Sequence, residues 1–226
     1  MREHVDAVLF DFDGTLVDSA PDLIAALNRL LGELGHAPVA FEGFRQRAGE
    51  GAKRLLLAAF AAHGAARPDD ATLGPLVERL IDYYFEIETE RVRLFPSVAA
   101  TIERLRDAGI PLAVCTNRRD RSTRRLLAHL RIDRHIEAVF AGDTVARMKP
   151  DPGHLQEALA ALGAQPARAV MVGDSVADVD AARGARVPVI ATAYGYSPVP
   201  PHDLGADAVI DDFAELPASI ERLFRG

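Results

Sequence analysis

Val8-Leu9-Phe10-Asp11-Phe12-Asp13-Gly14-Thr15-Leu16 is the most informative stretch of this sequence. An apolar run that starts at Val5 leads into it, and such runs are typical of a strand buried on both faces of a parallel sheet. Asp11 and Asp13 follow where this strand ends, and residues i and i+2 point the same way on an extended chain. Because open α/β sheets bind ligands at the carboxyl ends of their strands, the stretch predicts two functional carboxylates there rather than a simple polar strand end.

The sequence beyond residue 92 alternates between helical and strand patterns. Strands are predicted at 111–115, near 139–140, and at 169–172, 187–191 and 208–210, with helical segments between them. This alternation predicts a doubly wound parallel sheet with right-handed crossovers, and the segment 208–210 is expected at an edge.

Residues 17–91 show helical patterns and no convincing strand. Leu23, Leu27, Leu30 and Leu34 recur on one face of a predicted helix that ends at Gly35. A helical stretch of this length is too long for a simple crossover between two strands. We therefore predict an α/β core domain of residues 1–16 and 92–226, with an inserted all-helical domain at 17–91.

The composition excludes several classes of protein. The 226 residues are 49% hydrophobic and carry a formal net charge of −7, which argues against nucleic-acid and anionic-membrane partners. No signal peptide and no apolar run of membrane-spanning length is recognisable. The single cysteine excludes an internal disulfide framework. We expect a cytoplasmic protein that is a monomer or a small homo-oligomer.

Thr116 and Lys149 are polar residues that follow later predicted strands. Thr116 comes directly after the predicted strand 111–115. A helix N-cap is its ordinary role, and a hydroxyl at a helix start also suits an oxyanion. Lys149, one of only two lysines, lies in Met148-Lys149-Pro150-Asp151-Pro152, where a fixed cation would offset charge on a phosphoryl group. Taken alone, Lys149 is more simply interpreted as an ordinary surface lysine.

Gly173-Asp174-Ser175-Val176-Ala177-Asp178 follows the predicted strand 169–172. If a helix begins here, Asp174 and Asp178 are i and i+4 and share one face. Acids from adjacent strands suit Mg²⁺, which prefers oxygen ligands. A capped helix with a solvated acidic face explains this segment alone, but it does not explain four polar segments that follow the strands of one sheet.

Taken together and in this order, the four segments resemble the four motifs of the haloacid dehalogenase superfamily, most of whose members are phosphohydrolases. The resemblance spans the whole chain and places the helical insert where that family carries its first type of cap. It implies that Asp11 is the nucleophile, which forms an aspartyl-phosphate, and that Asp13 is the general acid/base.

The resemblance also implies roles for the remaining motif residues. Thr116, Asn117 and Lys149 would bind phosphoryl oxygens. Asp11, the backbone carbonyl of Asp13, and Asp174 would hold Mg²⁺, with Asp178 in support. The expected partner is therefore a small-molecule phosphate ester.

Within the superfamily, an acid at Asp13 distinguishes phosphatases from members that attack carbon or cleave phosphonates. Asp-Ser-Ala-Pro-Asp at 18–22, Gly49-Glu50-Gly51 and Lys-Pro-Asp-Pro at 149–152 resemble bacterial phosphoglycolate phosphatases. This implies hydrolysis of 2-phosphoglycolate to glycolate. Arg118-Arg119 departs from the Lys-Pro that those enzymes often show, and we expect this departure to leave the chemistry untouched.

The helical insert is expected to set substrate preference. The candidate residues lie at a predicted helix start, which suits a small carboxylate, although an ordinary solvated turn between helices explains them equally well. They are Arg47, Gly49, Glu50, Gly51 and Lys53.

Other functions fit parts of the pattern. A mutase similar to β-phosphoglucomutase, or a pyrophosphatase, would carry the same motifs. A receiver-type signalling module also combines an acidic pocket with Thr and Lys, but it is about half this length. Cys115 and Arg121 have the spacing of cysteine phosphatases, yet a buried core thiol is the simpler interpretation. The five arginines between Arg118 and Arg125 are interpreted as a solvated helix face.

Overall fold

A computed structural model of the protein describes residues 5–224, within which eight strands and nine α-helices are found. The strands are β1 (Ala7–Phe10), β2 (Val17–Asp18), β3 (Arg93–Leu94), β4 (Leu112–Thr116), β5 (Ala138–Ala141), β6 (Ala169–Gly173), β7 (Val189–Thr192) and β8 (Ala208–Ile210). The helices are α1 (Ala20–Glu33), α2 (Phe41–Phe44), α3 (Ala52–Ala62), α4 (Asp70–Ile87), α5 (Val98–Asp107), α6 (Asp120–His129), α7 (Gly153–Leu162), α8 (Val176–Ala185) and α9 (Leu216–Phe224). None of these helices combines the length and the apolar character that a bilayer crossing requires.

Six strands form one parallel sheet in the order β5-β4-β1-β6-β7-β8, which confirms the predicted fold class and the edge position of β8. The two short strands β2 and β3 pair separately. Strand β1 lies between β4 and β6, and its last residue, Phe10, is in register with Val114 and Val172. The residues that follow β1, β4 and β6 are therefore brought to the same edge of the sheet.

Both faces of the sheet are covered, which explains why β1 is apolar at every position. Ala7 and Leu9 lie in a buried cluster with residues of α7 and α8, such as Leu155 and Val179. Phe10 belongs to the opposite face, and its ring centroid lies 5.9 Å from that of Phe213. All four residues of β1 are buried.

The chain forms two compact units. Among the described residues, one unit comprises residues 5–17 and 94–224 and holds the six-stranded sheet; the other comprises Asp18–Arg93 and holds α1 to α4. Within the second unit, α4 packs against α1 and α3. The assignment of residues 17–91 as an inserted helical domain stays a prediction.

Two sequence predictions for the helical unit were wrong in detail. Leu34 is not on the buried face of α1, because the helix ends at Glu33 and Leu34 is 36% exposed; Leu31 is buried instead. The strand β2 also begins at Val17, inside the segment predicted to lack strands. In the sheet unit, the terminal helix α9 had no counterpart among the predicted elements.

Asp22 connects the two ends of the helical unit. It is fully buried in the first turn of α1 and accepts hydrogen bonds from the backbone N–H groups of Arg91 (3.0 Å) and Val92 (3.0 Å). The Arg91 guanidinium also lies 3.4 Å from the carboxylate. A buried carboxylate with charged and backbone donors is strongly anchored, since its loss leaves those donors without an acceptor.

We predict that Asp22→Ala destabilises the protein by about 2–4 kcal/mol, because it leaves two backbone N–H groups unsatisfied. Hydrogen exchange monitored by mass spectrometry should show loss of protection at Arg91 and Val92. Glu90→Ala, at a neighbouring exposed acid, is the matched control and should leave that protection unchanged. Equal hydrogen exchange at these positions in the wild type, Asp22→Ala and Glu90→Ala would contradict this role of Asp22.

Candidate active site

The Lys149 ammonium lies between two carboxylates at the carboxyl edge of the sheet. Its Nζ is 2.7 Å from Asp11 Oδ1 and 2.6 Å from Asp178 Oδ1. The Lys149 side chain is 3% exposed, so the four-carbon stem is buried and only the charged end reaches the site. The structure thus brings together three of the predicted site residues, which come from segments far apart in the sequence.

Asp178 is held in place by the start of α8. Ser175 is the N-cap of this helix, and Asp178 reaches back to accept from the Ser175 backbone N–H (3.0 Å) and hydroxyl (2.6 Å). The same oxygen, Oδ2, also accepts from the Asp174 N–H at 3.2 Å, whereas Oδ1 contacts Lys149. The predicted helix face shared by Asp174 and Asp178 is wrong, because α8 begins only at Val176 and Asp174 lies before it. The pattern Ser-x-x-Asp is a capping box, which the sequence would have revealed.

Asp174 lies beside Asp11 in a tightly enclosed setting. Its carboxylate accepts from the Tyr196 backbone N–H at 2.6 Å and from the Thr15 hydroxyl at 3.3 Å. A Cβ built at Gly14 would collide with this carboxylate, and the Gly14 φ of +85° independently favours glycine. The Gly14 turn after β1 therefore allows the close approach of the Asp174 side chain.

Burial and mutual repulsion shift the pKa values of these acids. Burial, with the nearby charge of Asp178, raises the pKa of Asp11 to about 7, although Lys149 opposes the shift. Burial and the charges of Asp11 and Asp178 likewise raise the pKa of Asp174 well above its ordinary value. Burial alone would lower the pKa of Lys149, but the two carboxylates outweigh it and raise that pKa. Lys149 therefore stays charged. Its single positive charge does not balance the negative charges that the three acids would carry when ionised.

The acidic cluster fits a metal ion. Asp11, Asp174 and Asp178 each offer a carboxylate oxygen, and these oxygens lie within 4.8 Å of one another. Oxygen donors of this kind suit a hard divalent cation, and a cation would relieve the repulsion that raises the pKa values of Asp11 and Asp174. Asp178 already accepts from Lys149, Ser175 and the Asp174 N–H, so Asp11 and Asp174 are the side chains best suited to direct coordination.

Thr116 and Asn117 follow at the end of β4. Thr116 is buried as the last residue of this strand, and its hydroxyl oxygen accepts from the Arg118 N–H at 3.1 Å. The interpretation of Thr116 as a helix N-cap was wrong, because α6 begins only at Asp120. Asn117 donates its side-chain amide to the Lys149 carbonyl oxygen at 2.9 Å, which links the two loops. Phosphate binding by these residues stays a prediction.

Asp13 has a partner that the sequence analysis missed. Arg118 donates from Nε to Asp13 Oδ2 at 2.9 Å and from Nη2 to Asp13 Oδ1 at 2.6 Å. The Arg118 side chain is only 11% exposed, so its assignment to a solvated helix face was wrong. The alternation of buried and exposed positions cannot reveal this contact, because Arg118 lies in the turn before α6.

The five residues predicted to determine specificity surround the start of α3. Arg47 lies 3.4 Å from Glu50, and Lys53 lies 3.9 Å from Asp70. The Arg47 and Lys53 side chains are 48% and 60% exposed. The set comprises Arg47, Gly49 and Glu50 in a 3₁₀ turn, Gly51 as the N-cap of α3, and Lys53 in its first turn.

Cys115 is a core residue, as predicted. It is fully buried in β4 among residues of the sheet and α7, and burial raises its pKa to about 12. A thiol with such a pKa is not ionised at neutral pH, so Cys115 lacks the thiolate that a cysteine phosphatase requires.

Comparison with known proteins identifies the class. The family model of haloacid dehalogenase-like hydrolases matches residues 5–186, and the chain belongs to this family. The resemblance noted in the sequence is thereby confirmed, together with its assignment as a phosphoric monoester hydrolase similar to phosphoglycolate phosphatases.

Two curated relatives illustrate the similarity. The chain is 41% identical to the phosphoglycolate phosphatase of Agrobacterium fabrum (strain C58) over 95% of its own length and 92% of that protein. It is 42% identical to the phosphoglycolate phosphatase of Caulobacter vibrioides, over 93% and 88% of the two chains.

Solved structures share the fold of this chain. A predicted phosphoglycolate phosphatase from Haemophilus somnus superposes with a TM-score of 0.87 at 28% identity, covering 96% of this chain and 98% of that one. CbbY from Rhodobacter sphaeroides, solved in complex with phosphate, superposes with a TM-score of 0.77 at 28% identity. The match covers 96% of this chain and 99% of CbbY.

We predict that a divalent cation stabilises the protein more at pH 8 than at pH 6. The folded-state pKa of Asp11 is about 7, above the ordinary 3.8. Between these two pKa values the folded protein holds a proton on Asp11 that the unfolded chain has lost, so the metal-free protein loses stability as pH rises through this range. A cation must displace that proton below pH 7, at a cost of about 1.4 kcal/mol per pH unit. The gain in Tm on adding MgCl₂ should thus be about 3–6 °C larger at pH 8.

Differential scanning calorimetry at the two pH values measures this difference. Asp174→Asn should abolish most of the gain, whereas Asp180→Asn, which changes an exposed acid on α8, should preserve it. The same gain at both pH values, or a gain retained in Asp174→Asn, would exclude this cluster as the cation site.

Proposed function

We propose that this phosphatase hydrolyses 2-phosphoglycolate to glycolate and inorganic phosphate through a phosphorylated Asp11. The contact that carries the proposal is the Lys149 ammonium between Asp11 and Asp178, because it orients Asp11 and provides positive charge at the attacking carboxylate. The relatives at 41% and 42% identity bear the name of this activity.

Magnesium is the proposed cofactor. Asp11, the backbone carbonyl of Asp13, and Asp174 would hold it, and when bound it supplies positive charge that reduces repulsion between an anionic nucleophile and an anionic ester. The raised pKa values of Asp11 and Asp174 support this assignment, since both acids lie where a cation would favour their ionised forms.

The first step transfers the phosphoryl group to the enzyme. An Asp11 oxygen attacks phosphorus, the bond from phosphorus to the ester oxygen breaks, and Asp13 donates a proton to the departing alkoxide. Thr116 and Lys149 bind the phosphoryl oxygens, whose negative charge the lysine offsets. Asn117 supports this arrangement by its hydrogen bond to the Lys149 carbonyl oxygen.

The second step releases phosphate. Asp13 accepts a proton from a water molecule as the water oxygen attacks phosphorus, and the bond between phosphorus and Asp11 breaks. Asp11 returns as a carboxylate. Asp178 acts indirectly in both steps by fixing Lys149, and its capping contacts with Ser175 explain why it stays rigid.

Phosphate release from a panel of esters with MgCl₂ tests the proposal. The panel contains 2-phosphoglycolate, ethyl phosphate, β-glucose 1-phosphate, a pentulose bisphosphate and pyrophosphate. We expect kcat/KM to be highest for 2-phosphoglycolate, and Asp11→Asn to lower turnover at least a thousandfold because the amide cannot act as the nucleophile. Asp180→Asn is the matched control for loss of an acid and should behave as the wild type.

Each other result has a definite meaning. If another ester is preferred and its turnover depends fully on Asp11, the phosphorylated-Asp11 mechanism stands and 2-phosphoglycolate is rejected as the preferred substrate. Preference for β-glucose 1-phosphate with transfer of the phosphoryl group would favour the mutase, and preference for pyrophosphate would favour the pyrophosphatase. Undiminished turnover in Asp11→Asn would reject the phosphorylated intermediate.

The helical unit provides a separate prediction about the substrate. We propose that Arg47 and Lys53 bind the substrate carboxylate, because they are exposed cations next to the N-terminus of α3. Arg47→Ala should raise KM for 2-phosphoglycolate about tenfold, equivalent to about 1.4 kcal/mol, and leave KM for ethyl phosphate unchanged. Arg67→Ala removes an exposed arginine of the same unit and serves as the control. Equal changes for both esters would refute carboxylate recognition by Arg47.

A further inference from the structure

The contact between Arg118 and Asp13 is fixed on several sides. Two guanidinium nitrogens of Arg118 donate to the two oxygens of Asp13, at 2.9 and 2.6 Å. The third nitrogen donates to the buried Ser122 hydroxyl in the first turn of α6, at 2.7 Å. The guanidinium carbon also lies 5.8 Å from the centroid of the Phe12 ring. A planar fork held at three nitrogens has little freedom to rotate.

This geometry determines the orientation of the Asp13 carboxylate. A bidentate pair aligns the carboxylate plane with the guanidinium plane, whereas the two bonds that rotate an aspartate side chain would otherwise leave it mobile. The two contacts therefore hold the Asp13 carboxylate in one orientation relative to the turn that carries Arg118.

We propose that Arg118 is a positioning residue that orients Asp13 to activate water during hydrolysis of the phosphorylated Asp11. This inference rests on the proposed function of Asp11 and Asp13. In that step the water loses a proton to Asp13, the water oxygen forms a bond to phosphorus, and the bond between phosphorus and Asp11 breaks. Arg118 itself exchanges no proton and forms no covalent bond.

The identity of the residue matters for this role. Lysine would present a single ammonium, which has no planar match to a carboxylate and contacts its oxygens one at a time. Arg124, in the same run, instead pairs with Asp120 and is 60% exposed. Arg124→Met therefore removes the same charge and similar bulk without touching Asp13.

Pre-steady-state kinetics with p-nitrophenyl phosphate and MgCl₂ isolate the step. Nitrophenolate leaves with little acid assistance, so kcat/KM reports formation of the phosphoenzyme and kcat includes its hydrolysis. We expect Arg118→Met to lower kcat about 10- to 100-fold, part of the roughly 10²- to 10⁴-fold that general-base catalysis contributes, because Asp13 is retained but no longer oriented; kcat/KM should stay within about threefold. A burst of nitrophenolate near one equivalent per active site should precede the slow turnover.

Three further variants complete the test. Arg118→Lys should recover part of kcat, Ser122→Ala should show a smaller loss of the same kind, and Arg124→Met should match the wild type. Acid-quenched Arg118→Met should contain more hydroxylamine-sensitive phosphoenzyme at steady state than the wild type. Circular dichroism compares the folding of all variants.

Two outcomes would overturn the proposal. A fall in kcat/KM as large as the fall in kcat would make Arg118 a substrate-binding or structural residue, and unchanged kinetics would remove it from the reaction. Asp13→Asn separates these outcomes from failure of the proposed function. If Asp13→Asn hydrolyses its phosphoenzyme as fast as the wild type, Asp13 is not the base. The proposed mechanism is then wrong, independently of the result for Arg118.

Discussion

The ammonium of Lys149, held between Asp11 and Asp178, is the interaction on which the arrangement of the site depends. Three carboxylates, two of them buried and that of Asp11 largely enclosed, lie close enough to repel one another, and their burial weakens their hydration. Lys149 lies 2.7 Å from Asp11 and 2.6 Å from Asp178, which supplies part of the missing positive charge. The raised pKa values of Asp11 and Asp174 show that this compensation is incomplete, and a site of this kind favours a divalent cation.

The parallel sheet makes this interaction attainable. Because β1 lies between β4 and β6 in register, the residues after Phe10, Val114 and Val172 arrive at one edge. The Asp11 N–H donates to the Val172 carbonyl oxygen at 2.8 Å, so the ladder of hydrogen bonds continues as far as Asp11. The buried strands thus place the polar residues, and the Gly14 turn and the start of α8 bring Asp174 and Asp178 to their final positions.

Much of the sheet and of the site could be predicted from the sequence, because both depend on a pattern that the chain repeats. An apolar strand followed by a polar residue occurs at Asp11, Thr116 and Asp174, and parallel strands necessarily bring such residues together. The error at Asp174 and Asp178 shows the limit of this reasoning. A helix start shifted by two residues converts a shared helix face into a capping box, and element ends are the least certain part of a sequence-based prediction.

Arg118 shows what the sequence could not reveal. Five arginines between 118 and 125 all fit a solvated helix, yet α6 begins at Asp120 and Arg118 lies in the turn before it. Its direction depends on the backbone of that turn, which no periodicity encodes. The departure from Lys-Pro at 118–119, interpreted as neutral, instead places a planar guanidinium against Asp13.

The most direct test of the central claim is to locate the phosphoryl group on the protein. Enzyme mixed with 2-phosphoglycolate and MgCl₂ would be quenched in acid, digested and mapped by tandem mass spectrometry. The account predicts a hydroxylamine-sensitive phosphoryl group on Asp11, absent from Asp11→Asn. A phosphoryl group on Asp13 or Asp174, or turnover with no phosphorylated residue at any stage, would contradict it.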